Sequence, residues 1–274
     1  MKIEPKQAKS ISDEIREVLS RGSRAVLATI VDSTQLTVGA KVLVTQSNAV
    51  CGDLGDAAIN AAVTNEAIKF LSAREETKTS KVSEFAPELN QFSQTSILFE
   101  RIEDEPRLVI AGAGHVGASL ARIATQLGYR VTLIDDRAEF VARELFSSPA
   151  EQNIELVAAA DWVDAVRQSV GNGHGVSVAI VTRGHKQDED CLRAAAEASP
   201  DYIGMIGSKR RTNIVLDKLR EEGFDQEQLK KVRAPIGLDI GAVSPEEVAL
   251  AILAEIVAER RGGSGAPLSA WRRH

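Results

Sequence analysis

Three glycines with the spacing GxGxxG offer the clearest binding chemistry in this chain. Gly112, Gly114 and Gly117 lie between an apolar run and a helical pattern, and Asp135 ends a second apolar run about twenty residues later. Gly112 permits a tight turn, Gly114 lets the backbone approach a pyrophosphate, and Gly117 lets the helix pack closely on the strand. The helix N-terminus offers N–H donors to phosphate, and the acid holds ribose hydroxyls. The pattern predicts dinucleotide-type binding; the alternative is a turn whose glycines serve packing alone.

A second group of polar residues follows a later apolar run. Arg183 and His185 come just after this predicted strand, and Asp188 lies three residues beyond the histidine. A histidine and a carboxylate at this spacing can face one pocket from the start of a helix. The alternative is a solvated loop followed by a capped helix.

A basic turn opens another predicted helix. Gly207 and Ser208 precede three consecutive cations, Lys209, Arg210 and Arg211. Cations at a helix N-terminus oppose the helix dipole, and each costs roughly 0.3 to 1 kcal/mol unless an anion is nearby. Ser208 and the first N–H groups could hold a phosphate that the cations neutralise. An exposed basic turn, or a surface for an acidic partner, is the alternative.

A fourth candidate is a carboxylate in a glycine-rich loop. Asp239 lies between Gly237 and Gly241, before a helix that Ser244 and Glu247 can open with a capping box. The aspartate is a candidate ligand for a cofactor. The alternative is a tight loop in which the aspartate satisfies backbone donors.

Strands and helices alternate along the second half of the chain, which predicts a doubly wound parallel sheet. In such sheets the ligand lies beyond the carboxyl ends of the strands, where all four candidate groups would lie. Further strands are predicted at 155–158, 177–182 and 202–206, with helices near 161–170, 188–198, 209–222 and 245–260.

The first half of the chain predicts a smaller α+β domain. Its patterns indicate helices at 12–21 and 57–73 and strands at 25–31, 41–45 and 96–102. An acidic junction with a proline separates the halves, so the domains are predicted at 1–103 and 107–263, with a flexible tail at 264–274.

Composition narrows the classes of partner. A net charge of −6 and a pI near 5.4 argue against binding to nucleic acid or to anionic membranes. The sequence has no long apolar run and no signal-peptide core at its start, so a cytoplasmic protein is expected. The two cysteines, Cys51 and Cys191, lie far apart and suggest neither a disulfide framework nor a zinc site.

Five segments together resemble a known family: AGAGHVG, IDDR, TRGH, YIGMIGSKRR and PIGLDIGA. They are similar to the C-terminal domain of the XdhC/CoxI family, and the resemblance covers essentially all of 107–263. Members are accessory factors for molybdenum hydroxylases such as xanthine dehydrogenase; they bind the molybdenum cofactor, support its sulfuration and deliver it to the apoenzyme. The resemblance implies the same role here, with a molybdenum hydroxylase apoenzyme as partner. A homodimer is also expected.

The motifs define a set of cofactor-binding candidates, for which NAD(P) or the molybdenum cofactor (molybdopterin) is the expected ligand. No catalytic residue is assigned. The candidates are Gly112, Gly114, His115, Gly117, Asp135, Arg137, Arg183, His185, Gly207, Ser208, Lys209 and Asp239.

The N-terminal half resembles the family's other domain less closely. Ala58 stands where the family has a cysteine, Asn60 stands where it has a glutamate, and a later CGG element would fall near 91–93, where there is no cysteine. A thiolate is the soft ligand or sulfur carrier that such chemistry needs. We therefore expect no tightly held metal and no persulfide. Two other functions stay open: an NAD(P)-dependent oxidoreductase, and a nucleotide-sensing scaffold that has lost the cysteine chemistry.

Overall fold

The fold is taken from a computed structural model of the chain, which describes residues 10–73 and 75–269. The chain forms two compact units, 1–104 and 105–274. Residues 270–274 of the predicted tail lie outside the described part.

The N-terminal unit is built on a five-stranded sheet with the order β3-β2-β1-β5-β4, in which all neighbouring strands are antiparallel. The strands are β1 (Ala25–Asp32), β2 (Lys41–Thr45), β3 (Val50–Asp53), β4 (Thr77–Lys81) and β5 (Ser96–Ile102). The helices are α1 (Ile11–Ser20), α2 (Ala57–Leu71) and α3 (Val82–Phe85), and Asn90–Phe92 forms a 3-10 turn. Apolar residues of α2 pack on one face of this sheet to form its core.

Two strands of this sheet, β3 and β4, were not predicted. The sequence of β4, TKTSK, buries only Ser80, and the side chains of β3 are exposed or half-buried. Neither strand carries the apolar alternation that marks a half-buried strand. Both lie at the edges of the sheet, where pairing with β2 or β5 holds them in place.

The C-terminal unit contains a second five-stranded sheet, in which every pair is parallel. Its order, β8-β7-β6-β9-β10, reverses direction at β6, so the fold is a Rossmann-like doubly wound sheet as predicted. The strands are β6 (Arg107–Ala111), β7 (Arg130–Asp135), β8 (Glu155–Ala158), β9 (Val176–Ile180) and β10 (Tyr202–Met205).

Helices cover both faces of this sheet. Leu108 and Ile110 of β6 pack against α4 and α9, whereas Val109 and Ala111 face α5, α6 and α7. The helices are α4 (His115–Gln126), α5 (Trp162–Val170), α6 (His185–Ala198), α7 (Lys209–Glu221), α8 (Gln226–Lys230) and α9 (Pro245–Arg261). The short helix α8 was not predicted, and α6 begins three residues earlier than expected.

Candidate functional site

The glycine loop between β6 and α4 turns sharply at Gly112. This residue has a φ of +113°, and a Cβ added there would lie 2.6 Å from the carbonyl oxygen of Val181. A Cβ on Gly117 would lie 1.8 Å from the carbonyl oxygen of Gly112. Around a Cβ on Gly114, by contrast, no non-neighbouring heavy atom of the described residues lies within 4 Å. Packing therefore requires the first and third glycines, whereas Gly114 borders open space.

The N-terminus of α4 presents backbone donors that no described side chain caps. Gly114 is its N-cap residue and carries no side-chain cap bond, whereas Asp161 caps α5 and Ser244 caps α9. The first N–H groups of a helix have no partner within the helix, and the helix dipole adds positive potential there. The glycine loop thus leads into a place suited to an anion.

Asp135, the last residue of β7, is only 1% exposed and accepts four hydrogen bonds. Its Oδ2 accepts from the backbone N–H of Ala113 at 2.7 Å and from Nη2 of Arg137 at 3.0 Å. Its Oδ1 accepts from the backbone N–H of Arg137 at 3.0 Å and from Nε at 2.8 Å. Burial alone would raise the pKa of this carboxyl, but the hydrogen bonds from Arg137 and Ala113 hold the pKa below its ordinary value. The carboxylate is therefore ionised and joins β7 to the glycine loop.

Arg137 is fixed by more than its pairing with Asp135. The carbon at the centre of its guanidinium lies 3.6 Å from the centroid of the Phe140 ring. Oδ1 of Asp136 lies 3.8 Å from Nε of Arg137 and 3.8 Å from Nη2 of Arg183. We call Asp135, Asp136, Arg137 and Arg183 the charged corner. It holds two acids and two guanidiniums.

The glycine loop and the charged corner face one cleft of about 290 Å³ at the carboxyl end of the parallel sheet. Its walls come from the segments that follow β6, β7, β8, β9 and β10 and from the start of α9. The lining residues are Gly112, Gly114, His115, Val116, Asp135, Asp136, Arg137, Trp162, Val181, Thr182, Arg183, Gln187, Ile206 and Pro245. Six of the predicted candidates are thus brought together: Gly112, Gly114, His115, Asp135, Arg137 and Arg183.

The expectation that His185 and Asp188 face one pocket is wrong. His185 is exposed and does not line the cleft, while Asp188 is fully buried and accepts a hydrogen bond from the hydroxyl of Thr182. The helix α6 begins at His185 itself, and the backbone N–H of Asp188 bonds to the carbonyl of Gly184. This places the carboxylate on the inner side of the helix and the imidazole in solvent.

The basic turn after β10 lies next to the cleft. Ile206 lines the cleft, whereas Gly207 and Ser208 are not among its lining residues. Ser208 and Arg210 are exposed. The side chains of Lys209 and Arg211 lie outside the described part of the structure. Phosphate binding at this turn therefore stays a prediction.

The loop that carries Asp239 is held by a half-buried acid, Glu255. Glu255 accepts hydrogen bonds from the hydroxyl of Tyr202 at 2.5 Å and from the backbone N–H of Gly237 at 2.9 Å. Asp239 itself is exposed and is not among the residues that line the cleft. The following helix begins with the predicted capping box of Ser244 and Glu247.

Two family models match the chain. The model of the XdhC Rossmann domain matches residues 108–256, and the model of the XdhC and CoxI family matches residues 18–82. The chain belongs to the XdhC/CoxI family. The resemblance of the five motifs is thereby confirmed.

Several named relatives are similar to this XdhC/CoxI chain. It is 28% identical over 245 residues to the uncharacterized protein YqeB of Escherichia coli, covering 87% of this chain and 44% of that protein. It is 30% identical over 174 residues to a probable xanthine dehydrogenase subunit of Bacillus subtilis, covering 63% and 49%. It is 23% identical over 279 residues to the molybdenum cofactor insertion chaperone PaoD of Escherichia coli, covering 89% and 86%. The chain spans about half the length of the first two relatives.

A solved structure shares the fold. The crystal structure of a xanthine dehydrogenase from Bacillus halodurans superposes with a TM-score of 0.51 at 18% identity, covering 96% of this chain and 99% of that one. At this identity the likeness supports the XdhC/CoxI fold alone.

Ala58, predicted from the sequence to stand where the family has a cysteine, lies at the start of α2. Ala58 is exposed there, and its backbone N–H donates to the side chain of Asp56 at 2.8 Å. Asn60, predicted to stand in the place of a family glutamate, accepts a hydrogen bond from the N–H of Leu54 at 2.9 Å and donates one to Asp53 at 2.6 Å. In this XdhC/CoxI chain, the side chains of Asp53, Asp56 and Asn60 accept hydrogen bonds from backbone N–H groups of residues 54–59 and so hold the segment before α2 in place.

Several cleft residues were absent from the sequence-based candidates for this XdhC/CoxI protein. The signal that could have found Asp136 and Trp162 is their place: each comes just after a strand of a parallel sheet. Trp162 is also one of only two tryptophans in the chain. Its Nε1 is buried and has no hydrogen-bond partner among the described residues. The cleft residues that the sequence-based candidates lacked include Asp136, Trp162, Thr182, Gln187 and Pro245.

Among residues 10–73 and 75–269, no group of three or more His, Cys, Asp or Glu side chains is arranged to hold a metal ion. No described helix is long and apolar enough to cross a membrane. The expected absence of metal concerns the whole protein and stays a prediction.

Proposed function

We propose that this protein is an accessory factor in the maturation of a molybdenum hydroxylase, and that it binds a phosphorylated cofactor or nucleotide in the cleft of its Rossmann domain. Two relatives support this role by name: a molybdenum cofactor insertion chaperone and a probable subunit of xanthine dehydrogenase. The partner would be a molybdenum hydroxylase apoenzyme. The predicted homodimer stays a prediction.

The observation that carries the cofactor part of the proposal is the open space at Gly114. Gly112 and Gly117 pack against nearby backbone. Gly114 lines the cleft as the N-cap residue of α4, and no non-neighbouring heavy atom of residues 10–73 and 75–269 would lie within 4 Å of a Cβ there. A phosphate or pyrophosphate brought to this point would meet the first N–H groups of α4. The site therefore fits the phosphate that both candidate ligands, the molybdenum cofactor and a dinucleotide, carry.

The residues of the cleft would bind and orient such a ligand. A bound molybdenum cofactor would supply the metal and the dithiolene that a hydroxylase needs, and the protein would hold its phosphate end. His115 and Trp162 line the same cleft and would contact the rest of the ligand. Asp135, the buried acid of the cleft, is engaged by Arg137 and would hold that side chain rather than move a proton.

The test is transfer of the cofactor to an apoenzyme. Purified protein would be loaded with released molybdenum cofactor and mixed with an apo form of a molybdenum hydroxylase, and both hydroxylase activity and retained molybdenum would be measured. We expect faster activation than with free cofactor, and we expect Gly114→Ala to abolish the gain. Arg130→Ala, a change at the other end of β7 with an exposed side chain, should keep it. Equal activation with and without the protein would refute the accessory role.

A further inference from the structure

The guanidinium of Arg137 covers the carboxylate of Asp135, the acid at the end of β7. In NAD-binding Rossmann folds this acid accepts hydrogen bonds from the ribose hydroxyls. Here the guanidinium fork of Arg137 spans both oxygens of Asp135, with Nε to Oδ1 at 2.8 Å and Nη2 to Oδ2 at 3.0 Å. With the carboxylate 1% exposed, a ribose hydroxyl would reach it only after the fork had opened.

Arg137 is held in position to donate hydrogen bonds to a ligand in the part of the cleft where a Rossmann fold binds the ribose. The residue is held from two directions, because its backbone N–H also bonds Asp135 and its guanidinium stacks on Phe140 at 3.6 Å. A guanidinium has five N–H donors. Asp135 takes two of them, Nε–H and one N–H of Nη2, so three remain for other acceptors. Because Arg137 lines the cleft, a ligand can use them.

A second guanidinium lies close by. Oδ1 of Asp136 stands between Arg137 and Arg183, 3.8 Å from a nitrogen of each. Both distances are longer than a hydrogen bond, so this carboxylate holds the two cations only by charge. Planar guanidiniums bind phosphate oxygens through paired, charge-assisted hydrogen bonds. A phosphate monoester placed between Arg137 and Arg183 would therefore make bonds that Asp136 does not make.

Building on the proposed nucleotide binding, we propose that the cleft selects a dinucleotide whose ribose carries a 2′-phosphate, the NADP type, over NAD. Arg137 and Arg183 bind the 2′-phosphate, and Asp135 acts as a positioning residue that holds Arg137. This replaces the direct ribose role predicted for Asp135. On binding, the phosphate takes the place that Asp136 holds between the two guanidiniums.

The test compares matched ligands by isothermal titration calorimetry on the full chain. NADP⁺ is compared with NAD⁺, and 2′,5′-ADP with 5′-AMP, so that each pair differs by the 2′-phosphate alone. We expect the 2′-phosphate to tighten binding roughly tenfold to 100-fold. Arg137→Ala and the exposed Arg183→Ala should each reduce this preference. Arg130→Ala, which removes one cation at the far end of β7, should leave it unchanged.

Asp136→Asn gives an independent readout, because it removes the competing carboxylate without removing a ligand contact. We expect it to strengthen NADP⁺ binding and to leave NAD⁺ binding nearly unchanged. Its side chain is 32% exposed, so the fold should tolerate the change. If wild type binds NAD⁺ as tightly as NADP⁺, the inference is wrong while the proposed nucleotide binding stands. If neither binds, the inference and the nucleotide part of the proposed function both fail.

Discussion

The carboxylate of Asp135 accepts a 2.7 Å hydrogen bond from the backbone N–H of Ala113, across 22 residues of sequence. The bond ties the end of β7 to the loop that follows β6. A residue predicted to contact the ligand thus also holds the glycine loop in place.

Asp135→Asn should lower the free energy of unfolding by about 1 to 3 kcal/mol at pH 7, because it weakens hydrogen bonds to a buried charge. The pKa of Asp135 is lower in the folded state than its ordinary value, so the carboxylate stabilises the fold above that ordinary value and loses this contribution as the pH falls through the folded-state pKa. Urea unfolding at pH 7 and near pH 3 measures the free energy of unfolding of both proteins. The difference between variant and wild type should be smaller at the lower pH. An equal difference at both values would contradict this account; Asp136→Asn is the exposed control.

The two glycines at either side of the start of α4 should respond differently to the same methyl group. Gly117→Ala should destabilise the domain by about 1 to 3 kcal/mol or more, since the methyl would collide with the carbonyl of Gly112. Gly114→Ala should change stability by less than about 1 kcal/mol and yet weaken binding of a phosphorylated ligand. Thermal unfolding and calorimetric titration of both variants check this. Similar stability losses in the two variants would argue against the open space at Gly114.

The two cysteines should differ strongly in reactivity. Cys191 is fully buried, and burial, followed by the nearby Asp188, Asp190 and Asp136, raises the pKa of its thiol. Because the thiolate is the reactive form, Cys191 should resist alkylation in the folded protein, whereas the half-buried Cys51 should react first. Mass spectrometry after iodoacetamide treatment, with and without urea, measures both sites. Labelling of Cys191 at the rate of Cys51 without urea would contradict the prediction.

Trp162 should report ligand binding through its fluorescence, because it lines the cleft and its indole N–H has no acceptor among the described residues. The only other tryptophan is Trp271, which lies outside the described residues. In Trp271→Phe, adding the nucleotide should change the emission; in Trp162→Phe, the change should be much smaller. If the emission change is lost in Trp271→Phe and kept in Trp162→Phe, Trp162 is not part of the ligand site.

The glycine loop and the capping box of α9 could be predicted because both depend largely on neighbours in sequence, and the parallel sheet could be predicted because strand and helix patterns alternate along the chain. The positive φ of Gly112 and the contact of Gly117 with the carbonyl of Gly112 are local, and Ser244 and Glu247 lie within one helical turn. The edge strand β4 could not be predicted, because pairing with β5, rather than its own polar sequence, makes it a strand.

The error at His185 has a similar physical origin. Sequence spacing places His185 and Asp188 one turn apart on a helix, but it does not say which side of the helix faces the sheet. That choice depends on the packing of α6, which buries Asp188 against Thr182. In the same way, the pairing of Arg137 with Asp135 depends on a side-chain direction that the order of residues does not determine.

The charged corner is formally neutral, since the two acids balance the two guanidiniums. A phosphate in this corner would compete with the carboxylate of Asp136 for the two guanidiniums. Because Asp136 is part of the chain, its carboxylate is always present there at high local concentration. Free phosphate or sulfate from a buffer has no second contact that would help it to displace Asp136, so we expect it to bind weakly. In the proposed binding mode, the glycine loop would hold another phosphate of a larger ligand, so the corner would favour anions that are part of such a ligand.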